Sequence, residues 1–71
     1  KTYQISAVSS MNSRELRNNL DGITHANIAV RNYPMSADQL RKKLKLKDGG
    51  DTYIFITRMA QKHIAIITKK L

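Results

Sequence analysis

The segment Ala26 to Asp51, ANIAVRNYPMSADQLRKKLKLKDGGD, constrains the fold more than any other part of the chain. Asn27 to Arg31 carries Ile28 and Val30 two apart, the period that puts both on one face of a strand. Tyr33-Pro34 ends that strand, because proline holds the residue before it extended and is tolerated near helix starts. Ser36 with Gln39 three positions on has the spacing of a capping box. Leu40 and Leu44, four apart, give the apolar stripe of a helix over about 36 to 46. Lys47-Asp48-Gly49-Gly50-Asp51 then reads as a turn, since glycine takes positive φ without steric cost.

The flanking segments repeat the same alphabet. Thr2 to Ser9 alternates Tyr3, Ile5 and Ala7 with polar residues and predicts a strand that buries those three. Asn12, with Glu15 three positions on, opens a helix over 13 to 20 striped by Leu16 and Leu20, and Asp21-Gly22 stops it. Thr52 to Arg58 and His63 to Thr68 are strands joined at Ala60-Gln61-Lys62 as a hairpin. The two helical segments align at an offset of 24 residues, Met11 to Leu20 over Met35 to Leu44. The strands ahead of them are out of phase at that offset, so two capped amphipathic helices of equal length account for the likeness. The order is β-α-β-α-β-β. This predicts a two-layer α+β fold, a small mixed sheet with two helices on one face and a C-terminal hairpin.

Seventy-one residues make one domain with a thin core. The absence of cysteine rules out disulfides and thiolate metal sites, and fits a reducing cytoplasmic setting. No apolar run approaches the ~20 residues of a membrane span, so no membrane association is expected. The start at Lys1 reads as a domain excised from a longer protein, and Lys69-Lys70-Leu71 as a natural end.

The chain carries 13 Lys and Arg against 5 Asp and Glu, a net charge of +8, and a sequence pI near 10.2. Five of those cations fall within residues 41 to 47, RKKLKLK. Like charges crowded in this way repel, so a polyanion is the natural partner. An anionic membrane leaflet or an acidic protein would also answer the charge. Arg41, Lys42, Lys43, Lys45 and Lys47 are the candidate phosphate contacts, with Asp38 placed to pair with Lys42. The turn after the second strand offers a second site: Arg31 as a phosphate clamp, Asn32 for a base edge or sugar, Tyr33 as a stacking face. Equally, Tyr33 packs on the core and Arg31 pairs with Asp21 or Asp38. Arg14 and Arg17 would extend the basic surface, and the loop Ser9 to Asn12 would share its edge.

Other chemistry is poorly supported. Gly49-Gly50 follows a helix and lies between aspartates, the reverse of a phosphate-binding loop. His25 and His63 have no ligand spacing or nucleophile beside them, so neither a catalytic nor a metal site is expected. Tyr53 and Phe55 share one strand face and are read as core. Were Tyr3 and Tyr53 both exposed, the pair would instead resemble a base-stacking platform.

The stretch ANIAVRNYPMSADQLRKKLKLKDGGDTYIF resembles the C-terminal THUMP-like domain of bacterial S-adenosylmethionine-dependent methyltransferases. The likeness falls on Arg31-Asn32-Tyr33-Pro34, on Leu40 to Leu44, and on Leu46 to Phe55. It covers about half of the chain closely, and the N-terminal strand and helix fit only the general layout. It implies that residues 1–71 are a single non-catalytic accessory domain whose parent holds RNA, tRNA or rRNA, for methylation. S-adenosylmethionine would belong to the parent's catalytic domain, since Gly22, Gly49 and Gly50 cannot make its glycine-rich loop. A structural module docking on that catalytic domain or dimerising is the alternative, and predicts an exposed apolar patch on the free sheet face. An acidic-protein adaptor is a third reading.

Overall fold

The computed structural model describes residues 2–71. The elements are β1 (Tyr3–Ser10), α1 (Ser13–Asn19), β2 (His25–Val30), α2 (Ala37–Lys43), β3 (Lys47–Met59) and β4 (Lys62–Lys70). They form a four-stranded sheet in the order β1-β4-β3-β2. β4 runs antiparallel to both β1 and β3, and β2 runs parallel to β3. The expected α+β order and hairpin are therefore present, and the sheet is mixed.

Both helices cover the same face. Leu16 and Leu20 of the first helical segment and Leu40 of α2 are buried in one cluster with Ala26, Leu46, Ile54, Ile56, Ala65 and Ile67. Along β3 the buried apolar residues are Ile54 and Ile56, and along β4 they are Ala65 and Ile67. Ile54 lies opposite Ile67, and Ile56 opposite Ala65, so these pairs stack on the helix side. The alanines leave the room that the helix leucines fill.

Hydrogen bonds at the helix starts explain the boundaries. Ser36 accepts from the Gln39 N–H at 3.2 Å, and the Ser36 N–H donates to the Gln39 side-chain oxygen at 2.9 Å, closing the expected box. The α1 start differs. The Asn12 side chain accepts from the Arg14 and Glu15 N–H groups, but the Glu15 carboxylate is taken by the Ser10 hydroxyl. Ser10 Oγ in turn accepts from the Asn12 N–H at 3.2 Å. The serine thus relays what a closed box would have done directly.

α2 ends earlier than the leucine spacing predicts. The Lys45 N–H donates to the Lys42 carbonyl, and the Leu46 N–H to the Arg41 carbonyl at 2.9 Å, with Lys45 at φ 57. This is a Schellman motif, and its closing residue, Leu46, drops into the core. A lysine occupies the left-handed position where glycine is usual.

The segment 47–51, read from the sequence as a turn, is the start of β3. Lys47 and Asp48 pair with His25 and Ala26, after which the next pair is Asn27 with Tyr53. The residues between form a bulge, with Gly49 at φ 111 and Gly50 at φ 81. The Asn27 amide donates to the Gly50 carbonyl at 3.0 Å and pins the bulge to β2. A Cβ on Gly50 would lie 3.1 Å from that of His25, a tight contact that adds to the preference for glycine set by φ.

β1 corrects a second expectation. A register shift between Ile5 and Ala7 changes the strand's phase. Ile5 is 61% exposed and Tyr3 36%, whereas Ser9 is buried. The bulge turns the N-terminal half of β1 away from the helices. Tyr53 and Phe55, read as core, also face away from the helices, because they alternate with buried Ile54 and Ile56.

Ile54→Ala should cost about 2–5 kcal/mol by leaving a cavity under both helices, a loss that urea denaturation will read. The hairpin turn carries Ala60 at φ 50 and Gln61 at φ 66, the two left-handed positions of a type I′ turn. Replacing Ala60-Gln61 by Asn-Gly should therefore raise stability by about 1 kcal/mol, or a melting shift of roughly 4–8 °C in a chain of this size.

Candidate nucleic-acid interface

The sheet directions sort the candidate residues into separate places. β1, β2 and β3 run the same way, so the turns after β1 and β2 open at one end of the sheet, together with the β3–β4 hairpin. β1 and β2 are the two outer strands, so the Ser10–Asn12 loop and the Arg31–Ser36 turn share an end but not an edge. Arg31, Asn32 and Tyr33 lie at the start of α2, and Lys43, Lys45 and Lys47 at its exit. The seven residues of α2 separate them by about 10 Å.

At the exit of α2, Lys42, Lys43, Lys45 and Lys47 are exposed. None has a carboxylate within ion-pair distance among the described residues, so the expected Asp38–Lys42 pair is absent there. Asp38 binds Arg41 instead, and Asp48 stands 3.9 Å from the same guanidinium. Arg41 is only 24% exposed, and is committed to holding the helix against the start of β3. From α1, Arg17 reaches across and donates to the Lys43 carbonyl at 3.1 Å. That bond satisfies a C-terminal carbonyl of α2 and draws the Arg17 charge beside Lys43. Arg14 is exposed at the other end of α1.

The turn after β2 is more structural than its residue types suggest. The His63 ring donates from Nε2 to the Asn32 carbonyl at 2.6 Å. Tyr33 packs edge-on against the same ring, centroids 5.0 Å apart, and joins the margin of the core. Asn32 takes φ 56, which asparagine tolerates better than most residues. Tyr33 is therefore one side of a packed pair. Arg31 is exposed and has no carboxylate partner among the described residues, so neither Asp21 nor Asp38 neutralises it.

The third place was legible only as a conditional in the sequence. On the face away from the helices, Tyr3 sits 5.0 Å from Tyr53 and 5.9 Å from Phe55, both edge-on. Tyr3 reaches across β4 to do this, and Thr68, between the strands, is buried. Val8, 58% exposed, and Ile5 extend the apolar surface along β1. The exposed patch that a docking module requires is thus present.

The described residues hold no group of three or more His, Cys, Asp or Glu that could bind a metal. No helix among them is long and apolar enough to cross a membrane. Gly22 lies in the turn after α1 and the other two glycines in the β3 bulge, so no glycine-rich loop joins a strand to a helix.

A family model described as "THUMP domain-like" matches residues 1–70. The chain belongs to the THUMP-like family. A crystal structure described as a "putative methyltransferase from Porphyromonas gingivalis W83" is similar over 96% of this chain, with a TM-score of 0.79 and 26% identity. The THUMP-like chain spans 17% of the length of that protein. No curated protein sequence matches it. The family match and the neighbour fit an accessory domain of a methyltransferase.

Proposed function

We propose that this THUMP-like domain is the non-catalytic accessory domain of an S-adenosylmethionine-dependent methyltransferase, and that it holds an RNA substrate, tRNA or rRNA, in the cytoplasm. On this reading residues 1–71 are one domain excised from the C-terminal part of the parent, and the cofactor binds in the parent's catalytic domain. The observation that carries the RNA reading is the set of unpaired cations at the exit of α2. Lys42, Lys43, Lys45 and Lys47 stand exposed together, with Arg17 drawn to the same end by its bond to Lys43. A structural purpose for this crowding is limited to the favourable field at a helix C-terminus, which a single lysine would satisfy. Each phosphate met there would release counterions, and a positive end of this kind binds sugar–phosphate backbone without reading sequence. Arg41 belongs to the scaffold of this site, since its charge is already met by Asp38 and Asp48.

A second surface supports a second contact. The apolar face of β1, with Tyr3, Ile5 and Val8 exposed, fits docking on the parent's catalytic domain. The lysines at the exit of α2 lie apart from the exposed patch on β1, so the two contacts are compatible.

A filter-binding titration of tRNA on the parent protein over a salt series tests the first. About four phosphate contacts predict an affinity loss on the order of 100-fold between roughly 50 and 200 mM salt. Lys42→Glu, Lys43→Glu and Lys45→Glu combined should weaken binding by a further tenfold or more, at about 1 kcal/mol or less per lost contact. A flat salt response, or unchanged binding by the triple variant, would refute it. For the docking face, Ile5→Asp with Val8→Asp should make residues 1–71 more sensitive to limited proteolysis in the parent while leaving tRNA affinity within about twofold.

A further inference from the structure

The uncovered sheet face contains a depression that the function above does not use. It has a volume of about 340 Å³ and is lined by Ala29, Val30, Arg31, Phe55, Ile56 and Thr57. No helix residue lines it, so it opens on the side away from the helices. Its origin is one small residue. Ala29 lies opposite Phe55 in the β2–β3 register, and its methyl group leaves the space beside the ring unfilled.

The walls have separate chemistries. Phe55 is half-buried and is buttressed on its β4 side by the edge of Tyr3, at an interplanar angle of 84°. Its flank toward β2 is left to the depression. Arg31 follows Ala29 by two residues and so points to the same side, exposed and free of carboxylates among the described residues. The Arg31 N–H donates to the Ile56 carbonyl at 2.9 Å, so the Arg31 backbone is turned toward β3. By strand alternation the N–H and carbonyl of Val30 are turned the other way. β2 is an outer strand, so those two groups lie along its open edge, on the side away from β3. Lys62, opposite Met59 in the hairpin, is exposed at the same end.

We infer that this depression is a subsite for one unpaired nucleobase of an RNA strand. Phe55 supplies the stacking surface, and Arg31 with Lys62 the contacts to the adjoining phosphates. The charge argues for this occupant over a protein segment: the apolar floor is small, the one charged residue in its lining is Arg31, and the chain has a net charge of +8. A paired base cannot enter, because its edge and faces are already used within the duplex. The inference rests on the RNA reading, and adds to it a preference for single strands.

The test compares a short oligoadenylate RNA with an RNA duplex, both titrated against the parent protein. Ala29→Ile fills the depression with a residue suited to a strand and changes no charge. It should weaken oligoadenylate binding about tenfold, the scale of one lost base stack, and leave duplex binding unchanged. Phe55→Leu should do the same, and serves if the first variant melts at a lower temperature than the wild type. Unchanged oligoadenylate binding in both variants, with both RNAs weakened by the three Lys→Glu changes, overturns the subsite and leaves the RNA reading standing. Salt-independent or absent binding of both RNAs by the wild type overturns both. Heightened proteolysis in the variants with RNA binding intact would instead show the face covered by protein, and also overturns the subsite.

Discussion

Leu16, Leu20 and Leu40 are buried with Ile54, Ile56 and Ile67, and this one-sided contact governs the rest of the structure. A chain of 71 residues has apolar side chains for a single core layer. Two short helices supply one half of that layer and the alternate residues of β3 and β4 the other. The opposite face of the sheet receives no cover from the chain, and its residues must tolerate water or find a partner. The edge-on cluster of Tyr3, Tyr53 and Phe55 is a partial answer, because the rings shield one another and bury Thr68. The depression over Ala29 is where that shielding stops.

The electrostatics follow from the same layout. Packing α2 on the sheet forces its polar residues outward, and the Schellman turn at Lys45 gathers the exit lysines at one end. Arg41 is the exception, drawn inward to Asp38 and Asp48. Arg17 looks on sequence like part of a basic surface, and the structure gives it a further task as a bridge between the helices. Charge in this domain therefore has two uses. Some cations fix elements to one another, and the remainder stand free where a polyanion can meet them.

Much of the layout was readable because it is local. The Ser36–Gln39 box, the Leu40 stripe and the alternation at Ile54 and Ile56 depend on near neighbours in sequence. The misreadings in the strands have a common cause, which is pairing between distant segments. Lys47 and Asp48 are strand because Thr24, His25 and Ala26 lie alongside. Gly49 and Gly50 carry a turn signature, and they do bend the chain, but as a bulge held by Asn27. The β1 register shift moved Ile5 to the open face, where alternation alone had placed it inside. Tyr33 is a stacking candidate by type, and only the approach of His63 shows that its ring is already engaged.

The sequence by itself determined the order of elements, the helix starts, the excess of positive charge and the family to which the chain belongs. Each of these is written in residue types and short spacings, where backbone and side-chain preferences act within a turn or two. The tertiary structure alone decided which face of each strand is covered, which cations are neutralised, and that Arg31 and Phe55 border one depression. Those outcomes depend on register and strand order, which bring together residues more than twenty positions apart, and no local preference encodes such a meeting.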